Sequence, residues 1–388
     1  MVTHGSLPDP DRAALERSHA VCALIRARIG AAGGSIGFEQ FMQLALYEPE
    51  LGYYAAAQPI FGRAGDFVTA PEAGTLFADC LALQVGDVLR AIGGGIIEYG
   101  AGSGRLAHAL LTALQLTIVP EFYLIIEPSA ALRARQQALL ASLPATVFAR
   151  VRWLSAAPNA ALTGVVIANE VLDAMPVRRF VIERGALHEL AVALRADEFV
   201  WSLRPWCGPR PEPALLAELP EGYVSEYCPQ FADWIAHMRG MLSCAVALLI
   251  DYGYPRHEYL HPARASGTLQ CHYQHRVHGD PFFHPGLQDV TASVDFTAVA
   301  EHALTAGFVV AGYVTQAHFL IDCGLDAVLT AAAGDAVAHY RRAQEAKLLL
   351  LPGSMGQTCK VMALALGTAT ELRGFRHDER QRLSGFVR

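Results

Sequence analysis

The stretch Ile96-Ile97-Glu98-Tyr99-Gly100-Ala101-Gly102-Ser103-Gly104 decides how this chain folds. Its β-branched and aromatic residues read as the end of a buried strand. Three glycines at alternate positions then allow a sharp turn and let a ligand approach the backbone with no Cβ in the way. Residues 104–114 continue at helical spacing, so the turn opens a helix whose first N–H groups lack partners within the helix. Strand, glycine turn and helix together form the unit from which parallel α/β sheets are wound. Packing of strand against helix could by itself account for such glycines.

Reading outward from this unit, strands and helices alternate. Strands are expected over 96–99, 122–127, 146–153, 164–168, 245–251, 308–313 and 359–365. Helices are expected over 104–114, 129–140 and roughly 326–350. Seven strands in one mostly parallel sheet fit the count, which makes the fold class α/β and Rossmann-like. Upstream, residues 13–29, 38–46 and 76–91 read as helices, with a Gly- and Pro-containing loop over 58–74. Residues 1–91 are therefore expected to form an N-terminal helical cap with an active-site loop, and 92–388 the core. Two insertions interrupt the core, at about 178–240 and 254–290. The first opens with period-two alternation around turns at Arg184-Gly185 and Ala196-Asp197, an antiparallel meander. The second is rich in His, Pro and Gly, with little periodicity.

The spacing Gly-x-Gly-x-Gly differs from the Gly-x-Gly-x-x-Gly of dinucleotide sites. Glu98, two residues before the first glycine, suits a ligand with an ammonium group better than a pyrophosphate. Glu127 ends the next strand, where a carboxylate can accept from two ribose hydroxyls. An ammonium and a ribose on one ligand describe S-adenosylmethionine, the expected cofactor, with Glu98, Gly100, Gly102, Gly104 and Glu127 as its binding residues. A second polar cluster, Asn169-Glu170 with Asp173, follows the fourth strand at the edge where the methyl end of such a donor would lie. Asn169 can accept through its amide oxygen and touch both donor and acceptor. Glu170 can hold or deprotonate an amine or guanidinium. Asn169 and Asp173 could instead cap a following helix. Asp251, ending the fifth strand, and Asp66 and Glu72 in the upstream loop complete the candidate catalytic set, with turn and capping roles as their structural alternatives.

Composition removes several other classes. With 53% hydrophobic and 17% charged residues, the chain can bury a large core. A formal net charge of −7 argues against nucleic-acid binding, which needs a basic face. The eight cysteines have no short paired spacing and read as free thiols of a reducing compartment. No apolar run reaches the roughly 20 residues of a membrane span, and the N-terminus lacks a secretory pattern. A cytoplasmic, bacterial location without membrane insertion is the expectation. Six histidines between 257 and 284, with Cys271, match no standard zinc spacing, so no metal is expected.

Ordered along the chain stand Phe38-Glu39-Gln40-Phe41-Met42, Tyr47-Glu48-Pro49-Glu50-Leu51-Gly52-Tyr53-Tyr54 and Gly65-Asp66-Phe67-Val68-Thr69-Ala70-Pro71-Glu72. The glycine turn, Glu127, Asn169-Glu170-Val171-Leu172-Asp173-Ala174-Met175-Pro176 and Asp251-Tyr252-Gly253 follow. Gly267-Thr268-Leu269, Asp289 to Phe296, Gln316 to Leu320 and Met355-Gly356 close the series. With this set the chain resembles the MidA family of methyltransferases, whose mitochondrial members are assembly factors for respiratory complex I. Gly74 departs from the serine common in that family, and the His-rich segment has no counterpart.

The resemblance implies a seven-stranded class I methyltransferase sheet and a protein acceptor. In the mitochondrial members that acceptor is an arginine of a complex I core subunit, which becomes symmetrically dimethylated. It also implies that the loop around Asp66 and Glu72 belongs to the active site. A methyltransferase acting on a partner protein's arginine is the leading expectation. An assembly or chaperone-like binding protein that retains the donor pocket, and a small-molecule methyltransferase, are its alternatives. The oligomeric state, homodimer included, stays open.

Overall fold

The computed structural model describes residues 7–55, 70–209, 213–330 and 336–383. The chain divides into two compact units, one drawing on 1–67, 173–230 and 256–293, the other on 68–172, 231–255 and 294–388. No helix among the described residues is long and apolar enough to cross a membrane, and all eight cysteines are free thiols.

The second unit is an α/β core. Its strands are β1 (Gly95–Tyr99), β2 (Tyr123–Ile126), β3 (Val151–Leu154), β4 (Leu162–Asn169), β5 (Leu242–Tyr254), β6 (Val309–Thr315) and β7 (Cys359–Leu366). They lie side by side in the order β6-β7-β5-β4-β1-β2-β3, and a two-residue strand at Val294–Asp295 pairs with the end of β5. β1 to β5 run parallel, while β7 is antiparallel to both its neighbours. The run Val165-Val166-Ile167-Ala168 in β4 is fully buried. That is why it shows no alternation: both faces of a parallel sheet are covered by helices.

Helix Leu76–Ile92 packs against β4 and the helix Arg105–Leu114. Its buried Phe77, Leu81, Val85 and Leu89 recur every four residues and form one apolar stripe. It ends at Gly93, whose φ of 72° and ψ of −159° form a conformation that glycine accepts and residues with a Cβ rarely adopt. This helix, assigned to the N-terminal cap on sequence grounds, thus packs within the core unit. Of the upstream helices, Arg12–Ala31 and Phe38–Tyr47 belong to the other unit.

Two sequence expectations need correction. Residues 146–148, expected to begin the third strand, belong instead to a one-turn helix, Ala145–Phe148, after Pro144, and β3 starts only at Val151. The fixed φ of Pro144 presets that turn, and Val147 buries itself from it. The His-rich segment is not shapeless either. It carries the antiparallel strands Gln270–Tyr273, Arg276–His278 and Asp289–Thr291. Their pairing is hidden from periodicity because the strands are only three or four residues long.

The first unit also holds the meander, Arg178–Glu183, Ala186–Arg195 and Glu198–Pro205, all antiparallel. Both of its turns have φ near +50° to +70° at their two central residues, the I′-type twist that matches paired strands. Ser35–Gly37 and Val224–Tyr227 extend this sheet. Gly267-Thr268 has a structural task here: Glu226, buried and paired with Arg179 at 3.1 Å, also accepts from the Thr268 N–H and hydroxyl. In the same unit the Tyr54 hydroxyl donates to Asp289 at 2.7 Å.

Candidate active site

The candidate groups of the core unit gather at the carboxyl ends of β1, β2 and β4, the edge where open α/β sheets bind ligands. β1 sits between β2 and β4, and the chain reverses its winding there. Gly100, Gly102 and Gly104 have φ of 60°, 52° and 84°, so each needs the left-handed region. The Gly100 N–H donates to the Ile126 carbonyl at 3.1 Å, which ties the start of the turn to β2.

Glu98 is 2% exposed and accepts a hydrogen bond from the Tyr123 hydroxyl at 2.8 Å. Burial pushes its carboxyl up to about 7; the Tyr123 bond opposes this and the nearby Glu127 charge adds to it. Glu127, also buried, accepts from the Ser129 N–H at 2.9 Å and from the Gln136 amide at 3.3 Å. Burial raises its pKa, and those two hydrogen bonds with Arg133 oppose the rise.

Glu170 follows β4 with φ of 53°, a left-handed conformation that is uncommon for a residue with a side chain. Its N–H donates to the Ile250 carbonyl at 2.8 Å. Asp251 explains how the turn is kept. Its buried carboxylate accepts from the N–H groups of Val171 (3.1 Å), Leu172 (2.8 Å) and Tyr252 (2.8 Å). A residue expected to line an acceptor pocket is thus bound to the backbone that carries Glu170. No helix follows Asn169 or Asp173, so the capping alternative fails for both. The Asn169 amide donates to Glu170 at 3.4 Å, and its buried Oδ1 has no hydrogen-bond partner among the described residues. An acceptor buried without a donor fits a site built for an N–H-bearing ligand.

Glu72 faces the glycine turn. It accepts from the Ser103 hydroxyl and pairs with Arg105 at 3.4 Å. Asp66 lies outside the described residues, and Asp173 belongs to the other unit, where its carbonyl accepts from the Ala292 N–H at 2.9 Å. Among the described residues no group of His, Cys, Asp and Glu is arranged to hold a metal ion.

A family model described as an S-adenosyl-L-methionine-dependent methyltransferase matches residues 80–314. The chain belongs to that family. A Burkholderia thailandensis protein solved with bound S-adenosyl-homocysteine is 42% identical, with a TM-score of 0.92 over 97% of this chain and 99% of that one. A protein arginine methyltransferase NDUFAF7 homolog, mitochondrial, from Drosophila melanogaster is 27% identical over 88% of this chain and 84% of its own length. The human protein arginine methyltransferase NDUFAF7 is 24% identical over 90% of this chain and 84% of its own. The chain is a methyltransferase that uses S-adenosylmethionine, on the fold its glycine turn announced.

The glycine cradle and the orphaned Asn169 oxygen fit that donor. When bound, it supplies an electrophilic methyl on a sulfonium. Sequence reading missed three residues of this methyltransferase site. Tyr123 hides in an apolar strand. Trp153 gives no signal at all. Gln136 is the legible one, a polar residue on the buried stripe Leu132, Gln136, Leu140.

Proposed function

We propose that this methyltransferase acts on an arginine side chain of a partner protein, with Glu170 steering the guanidinium and Asn169 touching both ligands. The observation that carries the reading is Glu170 itself: a carboxylate in a strained turn at a strand end, locked from behind by Asp251. Strain of this kind persists where a site over-determines it. The relatives named as arginine methyltransferases support the choice of acceptor. A partner akin to a complex I core subunit, met in a bacterial cytoplasm, completes the proposal.

An arginine stays protonated at neutral pH. As its nitrogen forms the N–C bond, the C–S bond breaks, the sulfur keeps the electron pair, and the nitrogen must lose a proton. Glu170 is the group that orients the nitrogen and takes that proton. Positioning supplies much of the rate in such a displacement. Glu98 and Glu127 hold the donor's ammonium and ribose, and Glu72 holds the glycine turn through Ser103.

Glu170→Gln is expected to lower turnover by about 100-fold or more while leaving S-adenosylhomocysteine affinity within about threefold. With methyl-labelled donor and a protein extract, label should appear in protein and hydrolyse to methylated arginine. Label confined to small molecules, or to lysine, would overturn the acceptor assignment.

Donor binding should also report Glu98. Between about pH 4.5, the ordinary value, and about 7 the folded chain holds a proton that the unfolded chain has lost. Stability of the ligand-free protein therefore falls as pH climbs through that window. An ammonium partner selects the charged carboxylate, so affinity should rise about tenfold per pH unit below 7 and level off above it. Calorimetry across this range checks the slope, and Glu98→Gln should abolish it. A flat wild-type profile would remove Glu98 from the ammonium.

A further inference from the structure

The Gln136 side chain, on helix Ala130–Leu140, is fully buried and touches three parts of the donor site. Its amide nitrogen donates to the Gly102 carbonyl at 2.9 Å and to Glu127 Oε2 at 3.3 Å. Its oxygen accepts from the indole N–H of Trp153 at 3.0 Å. An indole nitrogen can only donate, so Trp153 fixes which end of the amide faces it. The NH₂ group is thereby forced toward Gly102 and Glu127, the only arrangement in which all three contacts are attractive. The glycine turn presses on the same side chain, since a Cβ on Gly104 would lie 3.2 Å from Gln136 Cγ.

We propose that Gln136 and Trp153 are a positioning pair that presets Glu127 and the glycine turn for the donor's ribose. The proposal rests on the reading that Glu127 receives the ribose hydroxyls. Each oxygen of Glu127 takes one internal donation, Oε1 from Ser129 and Oε2 from Gln136. A carboxylate oxygen has two lone pairs, so each keeps one for a hydroxyl. Two donors fixing the carboxylate in place remove the rotamer search that binding would otherwise require. Trp153, at the end of β3, gives the outermost strand of the parallel set a part in donor recognition that its position alone would not suggest.

The test is a calorimetric comparison of S-adenosylhomocysteine with its 2′,3′-dideoxy analogue, which offers Glu127 no hydroxyl, against wild type, Gln136→Met, Trp153→Phe and Glu127→Gln. Gln136→Met keeps the side-chain length and loses the amide. It should weaken S-adenosylhomocysteine about tenfold and the dideoxy analogue by much less, because the lost positioning matters only when the hydroxyls are present. Trp153→Phe, which keeps a ring and deletes the N–H, should show the same selective loss at about threefold. Equal weakening of both ligands, or of neither, means that Gln136 only packs, and overturns the proposal. If Gln136→Met does not fold, Trp153→Phe carries the same decision. Glu127→Gln with unchanged affinity for S-adenosylhomocysteine would instead overturn the ribose reading beneath it.

Discussion

Gly164→Ala is expected to abolish the folded core. Gly164 in β4 lies opposite Gly95 in β1, with φ of +142°, and a Cβ there would sit 1.9 Å from the Gly95 carbonyl oxygen. Backbone is what the methyl would meet, inside a parallel sheet between buried strands, so neither side can yield without breaking the ladder. The cost should exceed about 4 kcal/mol. Gly93→Ala provides the control. Gly93 also has a positive φ, +72°, but an added Cβ meets nothing within 4 Å. That change should cost only the backbone strain of a conformation almost reserved for glycine, φ 72° and ψ −159°, about 1–3 kcal/mol. Circular dichroism during thermal and urea unfolding of the two variants separates steric exclusion from backbone strain. Equal midpoints would show that the strand contact relaxes and that the close approach is not obligatory.

The second large effect belongs to Asp251. Its carboxylate satisfies three backbone N–H groups in a fully buried position, and two of them lie in the turn just past Glu170. Asp251→Ala should lose roughly 3–5 kcal/mol of stability, since each buried donor left unpaired costs about 1–3 kcal/mol. Asp251→Asn is the sharper probe. An asparagine keeps the shape but presents one NH₂ where an acceptor is needed, so at least one N–H faces another donor. The turn should then shift while the sheet survives. Turnover is expected to fall by about 100-fold, equivalent to about 2.7 kcal/mol of barrier, with S-adenosylhomocysteine affinity within about threefold. Steady-state kinetics beside calorimetric titration decides the matter. Full turnover in Asp251→Asn would mean that the turn tolerates the loss and that Glu170 is held by other means.

These two residues show different degrees of legibility. Gly164 stands in a run of apolar residues with nothing to mark it, because its reason is a strand 69 positions upstream in the chain. Asp251 is visible in the sequence as an acid near a strand end, with a ligand role and a turn role both open to it. An acid there can face a ligand or bind a neighbouring turn, and only the position of residues 171 and 172 separates the two. Glu72 is legible only as an acid in a loop, because its partner Ser103 belongs to the glycine turn itself. Gln136 left a faint mark as a polar residue on an apolar stripe, but its partners Trp153 and Gly102 come from other elements.

What the sequence determined alone was the local grammar. A glycine triplet after an apolar run forces a turn with left-handed backbone, acids at strand ends mark the ligand edge, and apolar runs without alternation mean strands covered on both faces. These are properties of a few consecutive residues and the water they avoid, so they survive reading in one dimension. The tertiary structure decided which donors each of these acids meets. It also fixed the strand order that brings β4 beside β1, and the partners of each buried amide. Such choices depend on contacts between residues tens of positions apart. Burial makes an unpaired polar group costly, so each carboxylate near the glycine turn is fixed by the donors the fold brings to it.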